Sequence, residues 1–106
     1  MAGENWVKVA SRSALDEGEV TEATIGDKEI AVYNVDGEFY ATDNICTHAF
    51  ARLSEGWLDG DVIECPLHAG RFEVTTGKAV APPVTCDLKT YPVRISGDDV
   101  EVNLDA

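Results

Sequence analysis

Positive charge is scarce in this sequence. Eight lysines and arginines stand against twenty aspartates and glutamates, for a formal net charge of -12, and a chain of that sign is repelled by phosphate backbones and anionic lipid surfaces. Nucleic acid and membrane surfaces are therefore poor expected partners. The charge serves either solubility or docking to basic patches on other proteins. Long apolar runs are missing too: no stretch reaches the roughly 18 residues of a membrane-spanning helix. Met1-Ala2-Gly3-Glu4-Asn5 is neither a basic export segment nor an amphipathic transit sequence. Cysteine is rare, with three widely spaced residues, unlike the dense, even set that staples a small secreted domain. A reducing cytoplasm is the expected location, where thiols serve metals or chemistry.

What remains is enough for one domain. A chain of 106 residues leaves no room for a catalytic domain beside a binding domain. Its 44% hydrophobic content can supply a modest core for a single unit over residues 1–106. Near the end, Val100, Val102 and Leu104 alternate with Glu101, Asn103 and Asp105, which predicts a strand with one buried and one wet face. Glu29 to Val35 is a β-branched and aromatic run that meets Asp36-Gly37 and resumes as Glu38 to Thr42, the pattern of a hairpin with a two-residue turn. Shorter runs at Trp6 to Val9, Val20 to Ile25, Val62 to Cys65, Arg71 to Val74 and Tyr91 to Ile95 are bounded by turn residues. Strands at this spacing predict an all-β sandwich or barrel. Ser13 to Glu17 is the one helical turn expected near the front. Residues 44–77 differ in character: they hold both histidines and two of the three cysteines, and read as a loop-rich insertion on the β base.

Within that insertion Cys46-Thr47-His48 and Cys65-Pro66-Leu67-His68 form two Cys/His pairs, with sixteen residues between them, that use every histidine in the chain. A solitary histidine or cysteine needs no special explanation, but two matched pairs in turn-rich loops point to a metal site. Two cysteines and two histidines suit structural zinc or one class of iron-sulfur centre. A zinc finger usually pairs Cys with Cys and His with His, whereas here each arm carries one of each. That suits two irons, one held by two thiolates and one by two imidazoles. A structural zinc module stays open as the alternative.

The segment Cys-Thr-His followed by Cys-Pro-Leu-His-Ala-Gly-Arg-Phe resembles the paired motif of Rieske 2Fe-2S proteins. The similarity runs along the whole chain, through 41–45, Glu55-Gly56-Trp57-Leu58, Thr76-Gly77-Lys78-Ala79 and Lys89-Thr90-Tyr91-Pro92-Val93. It is nearest to the ferredoxin components of bacterial aromatic-ring-hydroxylating dioxygenases of the naphthalene dioxygenase kind. The resemblance implies a Rieske-type β base with an inserted cluster-binding subdomain, at about 44–77. It implies one 2Fe-2S cluster, with Cys46 and Cys65 on one iron and His48 and His68 on the other. The protein would be no enzyme but a monomeric one-electron carrier between a flavin-containing ferredoxin reductase and a terminal Rieske oxygenase. A small Rieske-like subunit of an assimilatory nitrite reductase is the rival within the resemblance.

Rieske potentials span about -150 to +300 mV, and the resemblance implies the low end here. High-potential relatives carry Ser and Tyr where this chain has Gly70 and Phe72, and a bracing disulfide where it has Ala51 and Leu67. Packing must then hold the loops, with Trp57, Phe72 and Pro82-Pro83 as candidates, although each aromatic alone fits ordinary core better and Pro82-Pro83 equally fits a plain rigid connection. Phe50 is either an exposed partner contact at the cluster tip or a buried residue, the two readings standing equal. Arg52 and Arg71 either orient docking or pair with nearby carboxylates, and Cys86 is assigned nothing.

Overall fold

The computed structural model describes residues 6–46, 51–67, 70–81 and 87–104. Eleven strands carry the described chain: β1 (Trp6–Ser11), β2 (Val20–Ile25), β3 (Lys28–Val35), β4 (Glu38–Asp43), β5 (Trp57–Asp59), β6 (Val62–Glu64), β7 (Arg71–Glu73), β8 (Ala79–Ala81), β9 (Thr90–Tyr91), β10 (Val93–Ser96) and β11 (Asp99–Asn103). They form three antiparallel sheets, ordered β1-β11-β10, β2-β3-β4-β9 and β5-β6-β7-β8. Among the described residues helix is confined to two 3-10 turns, Arg12–Ala14 and Leu53–Glu55. The all-β expectation holds, but the inserted region is built less of loops than expected, because β5 to β8 make a sheet of their own.

The β3–β4 hairpin forms as its turn residues dictate. Asp36 and Gly37 both have positive φ, 52° and 91°, the conformation whose twist matches the flanking strands. The Gly37 N–H donates to the side-chain oxygen of buried Asn34 at 2.9 Å, and Asn34 Nδ2 donates to the Leu15 carbonyl at 2.8 Å. Across the hairpin Tyr33 pairs with Tyr40 and Val32 with Ala41.

Strand β3 is apolar without alternation because it is buried on both faces, as a continuous run implies. Ile30 and Val32 point into a cluster with Leu15, Ala41, Tyr91, Val100 and Val102. Ala31 and Tyr33 point the other way, into a cluster with Leu53, Ile63, Phe72, Val74, Leu88 and the two cysteines Cys46 and Cys65. The chain thus has two buried clusters among the described residues, and one strand is the wall between them.

Three strand expectations are corrected. Tyr91 to Ile95 is not one strand: Pro92 has no N–H to give to a ladder, so β9 stays with β4 and β10 leaves to pair with β11. The three-residue strands β5 and β8 are additional. Asn103, expected on the wet face, is 6% exposed. It lies directly across from Trp6, whose ring stacks with the Arg94 guanidinium at 4.5 Å, so bulk on the outer face covers it.

Candidate metal centre

Each of the two described candidate ligands sits at the end of a pair of backbone segments held together by hydrogen bonds. After β4 the chain runs through Asn44, Ile45 and Cys46, and it returns through Ala51, Arg52 and Leu53. Ile45 and Arg52 form an antiparallel bridge. The Cys46 N–H donates to the Ala51 carbonyl at 2.9 Å and the Leu53 N–H to the Asn44 carbonyl at 2.7 Å. The second arm is the β6–β7 hairpin, in which the Cys65 N–H donates to the Gly70 carbonyl at 2.7 Å. In both arms the cysteine N–H reaches the carbonyl five residues on (51 − 46 and 70 − 65), so both arms are closed alike just at the sulfur-bearing residue.

The two arms bring their sulfurs together. Cys46 and Cys65 are 4% and 0% exposed, and neither is in a disulfide. Burial pushes the Cys65 thiol up to about 11; a hydrogen bond from the Leu67 backbone opposes this, and the neighbouring Cys46 thiol adds to it through a side-chain hydrogen bond and its charge. Buried beside a second sulfur, the Cys65 thiol holds its proton near neutral pH, since burial disfavours the thiolate. A bound cation reverses that balance, and the Leu67 N–H aimed at the Cys65 sulfur favours a sulfur that carries charge. Two buried, undisulfided, mutually close cysteines with an N–H···S contact therefore fit the thiolate half of an iron-sulfur site. His48 and His68, the other two expected ligands, lie outside the described residues, as do Phe50, Pro82-Pro83 and Cys86.

The stems of the arms touch at Gly56. A Cβ built there would stand 2.0 Å from the Glu64 carbonyl oxygen, one residue before Cys65, so only a hydrogen fits between the end of the first arm and β6. Phe72 lies fully buried beneath the arms, as expected. Trp57 does not pack there: it is 61% exposed, because the alternation of β5 sends Leu58 inward toward the core and Trp57 outward. Of the expected alternatives for Arg52 and Arg71, the structure shows pairing. Arg52 Nε meets Glu29 at 2.7 Å and Arg71 meets Glu64 at 3.0 Å. The Arg52 guanidinium holds the Glu29 carboxyl below its usual range, chiefly through that hydrogen bond.

Sequence reasoning assigned no role to Asn44 or to Gly56. Asn44 is fully buried, and all its polar groups are engaged. Its N–H donates to the Glu29 carbonyl at 2.9 Å and its carbonyl accepts from Leu53. Its Nδ2 donates to Glu22 Oε1 at 2.9 Å, and its Oδ1 accepts the Ser54 N–H at 2.9 Å. The signal in the sequence was an amide side chain two residues before a candidate ligand cysteine.

Comparison with known proteins gives the class first. The chain belongs to the family described as Rieske [2Fe-2S] domain, whose profile matches residues 5–92. Within that class it is similar along nearly all its length to ferredoxins of dioxygenase systems. It is 52% identical to the naphthalene 1,2-dioxygenase system ferredoxin component of Pseudomonas aeruginosa, over 95% of this chain and 97% of that one. Among solved structures, the Sphingomonas yanoikuyae B1 ferredoxin superposes with a TM-score of 0.89 at 41% identity, covering 93% of this chain and 98% of that one. A chain of the complex of reduced oxygenase and oxidized ferredoxin in carbazole 1,9a-dioxygenase does so with a TM-score of 0.88 at 43% identity, covering 92% of each chain. The protein is thus an electron carrier with a Rieske-type 2Fe-2S cluster, and not itself an oxygenase.

Proposed function

We propose that the chain is a single Rieske domain over residues 1–106, with its cluster-binding part at about 44–77, and that Cys46, His48, Cys65 and His68 hold the cluster. In this reading the two cysteines bind one iron and the two histidines the other. The cluster supplies a centre that accepts and returns one electron; the polypeptide holds it in place and keeps water from its thiolate side. The observation that carries the reading is the meeting of Cys46 and Cys65, both buried and reduced, at the ends of two arms closed by the same backbone hydrogen bond.

The electron comes from a flavin-containing ferredoxin reductase and goes to a terminal aromatic-ring-hydroxylating oxygenase; relatives named as a dioxygenase-system ferredoxin component and as a ferredoxin in complex with an oxygenase support the second step. The chain works as a monomer in the cytoplasm. A formal charge of -12 suits brief encounters steered by charge rather than a permanent interface. No helix among the described residues is long and apolar enough to cross a membrane.

The purified protein should be brown, with two irons and two sulfides per chain and a reduced-state EPR signal typical of mixed Cys/His ligation. It should be reduced by a dioxygenase-system reductase and NADH, and reoxidised by the oxygenase. Cys46→Ser and Cys65→Ser should each abolish the native spectrum. Replacing His48 or His68 by Cys should lower the potential of any cluster retained, because an anionic ligand replaces a neutral one. A colourless protein holding one zinc would overturn the assignment.

A further inference from the structure

The first ligand arm is tied to the base by a group of contacts that the electron-transfer reading does not use. Glu22, on β2, accepts Asn44 Nδ2 at 2.9 Å and the Ser54 hydroxyl at 3.0 Å through the same carboxylate oxygen. Asn44 in turn accepts the Ser54 N–H on Oδ1 at 2.9 Å. The three side chains close a ring that joins the outgoing end of the arm, at Asn44, to its returning end, at Ser54, and fastens both to one strand. The second arm is held within its own sheet, by β6–β7 pairing and the contact at Gly56.

From this geometry we infer that Glu22 and Asn44 are positioning residues for the cluster. They fix the height of the Cys46 arm above the base, and with it the separation of the Cys46 and Cys65 sulfurs. The inference rests on Cys46 being a ligand. Its physical content is simple. Asn44 is fully buried, so a lost partner leaves a buried polar group unsatisfied and the arm must shift to satisfy it. Groups that orient a ligand from behind control metal retention and electronics, and changing them typically weakens metal affinity by roughly 10- to 100-fold.

The polarity of the ring offers a test that deletion alone does not. In Asn44→Asp the donor on Glu22 becomes an acceptor, and the new carboxylate faces Glu22 and also Glu29, whose carboxyl the Asn44 side chain reaches as well. In the double variant Asn44→Asp with Glu22→Gln the direction of the bond is reversed: the new glutamine amide donates to the new aspartate, while the Ser54 N–H keeps its acceptor. Iron release to a chelator, the reduced-state EPR g values and the midpoint potential would be measured on the loaded proteins. Asn44→Asp should release iron roughly 10-fold faster or more, with displaced g values and potential, and the double variant should return all three part of the way to the parent, because Glu29, itself paired with Arg52, still faces the new carboxylate. Glu101→Gln, which breaks the Arg94–Glu101 pair on another sheet, should leave them unchanged.

Should Asn44→Asp fail to load, Ser54→Ala and Glu22→Gln keep the test alive, since each removes or weakens part of the ring and should speed release by a smaller factor. The inference is overturned if the Asn44 and Glu22 variants match the parent in release rate and spectrum, or if the double variant is no better than Asn44→Asp alone. A Cys46→Ser protein with a native cluster would instead remove the ligand assignment beneath it, so the two failures are distinguishable.

Discussion

The two sides of β3 hold different kinds of interior. Toward β11 and β10 the buried residues are Ile30, Val32, Val100 and Val102 with Leu15 and Tyr91, mostly aliphatic packing with one hydroxyl, that of Tyr91, tied to Asp43. Toward β5–β8 the interior contains Cys46 and Cys65 among Tyr33, Leu53, Ile63, Phe72 and Val74, so here packing also sets where two sulfurs stand. The base tolerates small adjustments, because nothing in it must meet a fixed external geometry. The cluster side does not, least of all at Gly56, where a Cβ would face a carbonyl with no space, whereas at the exposed turn residue Gly26 it meets nothing within 4 Å.

That contrast gives the largest expected effect. Gly56→Ala drives a methyl into the Glu64 carbonyl, and should cost at least about 3 kcal/mol and abolish cluster loading. Gly26→Ala, strained only by its φ of +63°, should cost about 1 kcal/mol and leave the visible spectrum intact. Denaturant midpoints and iron content would be compared for the pair, and equal losses would break the distinction. Next comes the packing comparison. Phe72→Ala should lose about 3–5 kcal/mol together with the cluster, and Ile30→Val about 1 kcal/mol with native colour.

A smaller effect is expected from pH in the cluster-free chain. Burial and the Cys46 neighbour raise the Cys65 thiol from 9.0 to about 11, so between these values the unfolded chain has given up a proton that the folded chain keeps. Cluster-free protein should therefore lose stability as pH rises through that window, by up to about 1.4 kcal/mol per pH unit. Urea titrations at several pH values would show it, and Cys65→Ala should flatten the slope. Smallest of all, Trp57→Ser should change stability by no more than about 0.5 kcal/mol, since the ring is mostly in water; a large loss would mean that the outer face of β5 is not free.

The elements legible in the sequence were those whose signal is local. The run before Asp36-Gly37 declared both its strand and its turn, and Val20 to Ile25 became β2 with the same ends. The strands β5 and β8 are as short as β6 and β7, three residues each, but their existence depends on β6 and β7 being there to pair with. The exposure of Trp57 had the same origin: which way an aromatic side chain points on a short strand is decided by its neighbours in the sheet. The candidate ligands stood out because they pair two scarce residue types twice. Asn44 and Gly56 did not, because a buried amide and a close backbone approach are properties of contacts between segments far apart in the chain.

The double duty of β3 has a thermal consequence. A strand that walls both interiors cannot leave one of them without exposing the other, so heating should not strip the cluster region from a surviving base. Calorimetry of the loaded protein should record a single endotherm, and bleaching of the chromophore should coincide with it.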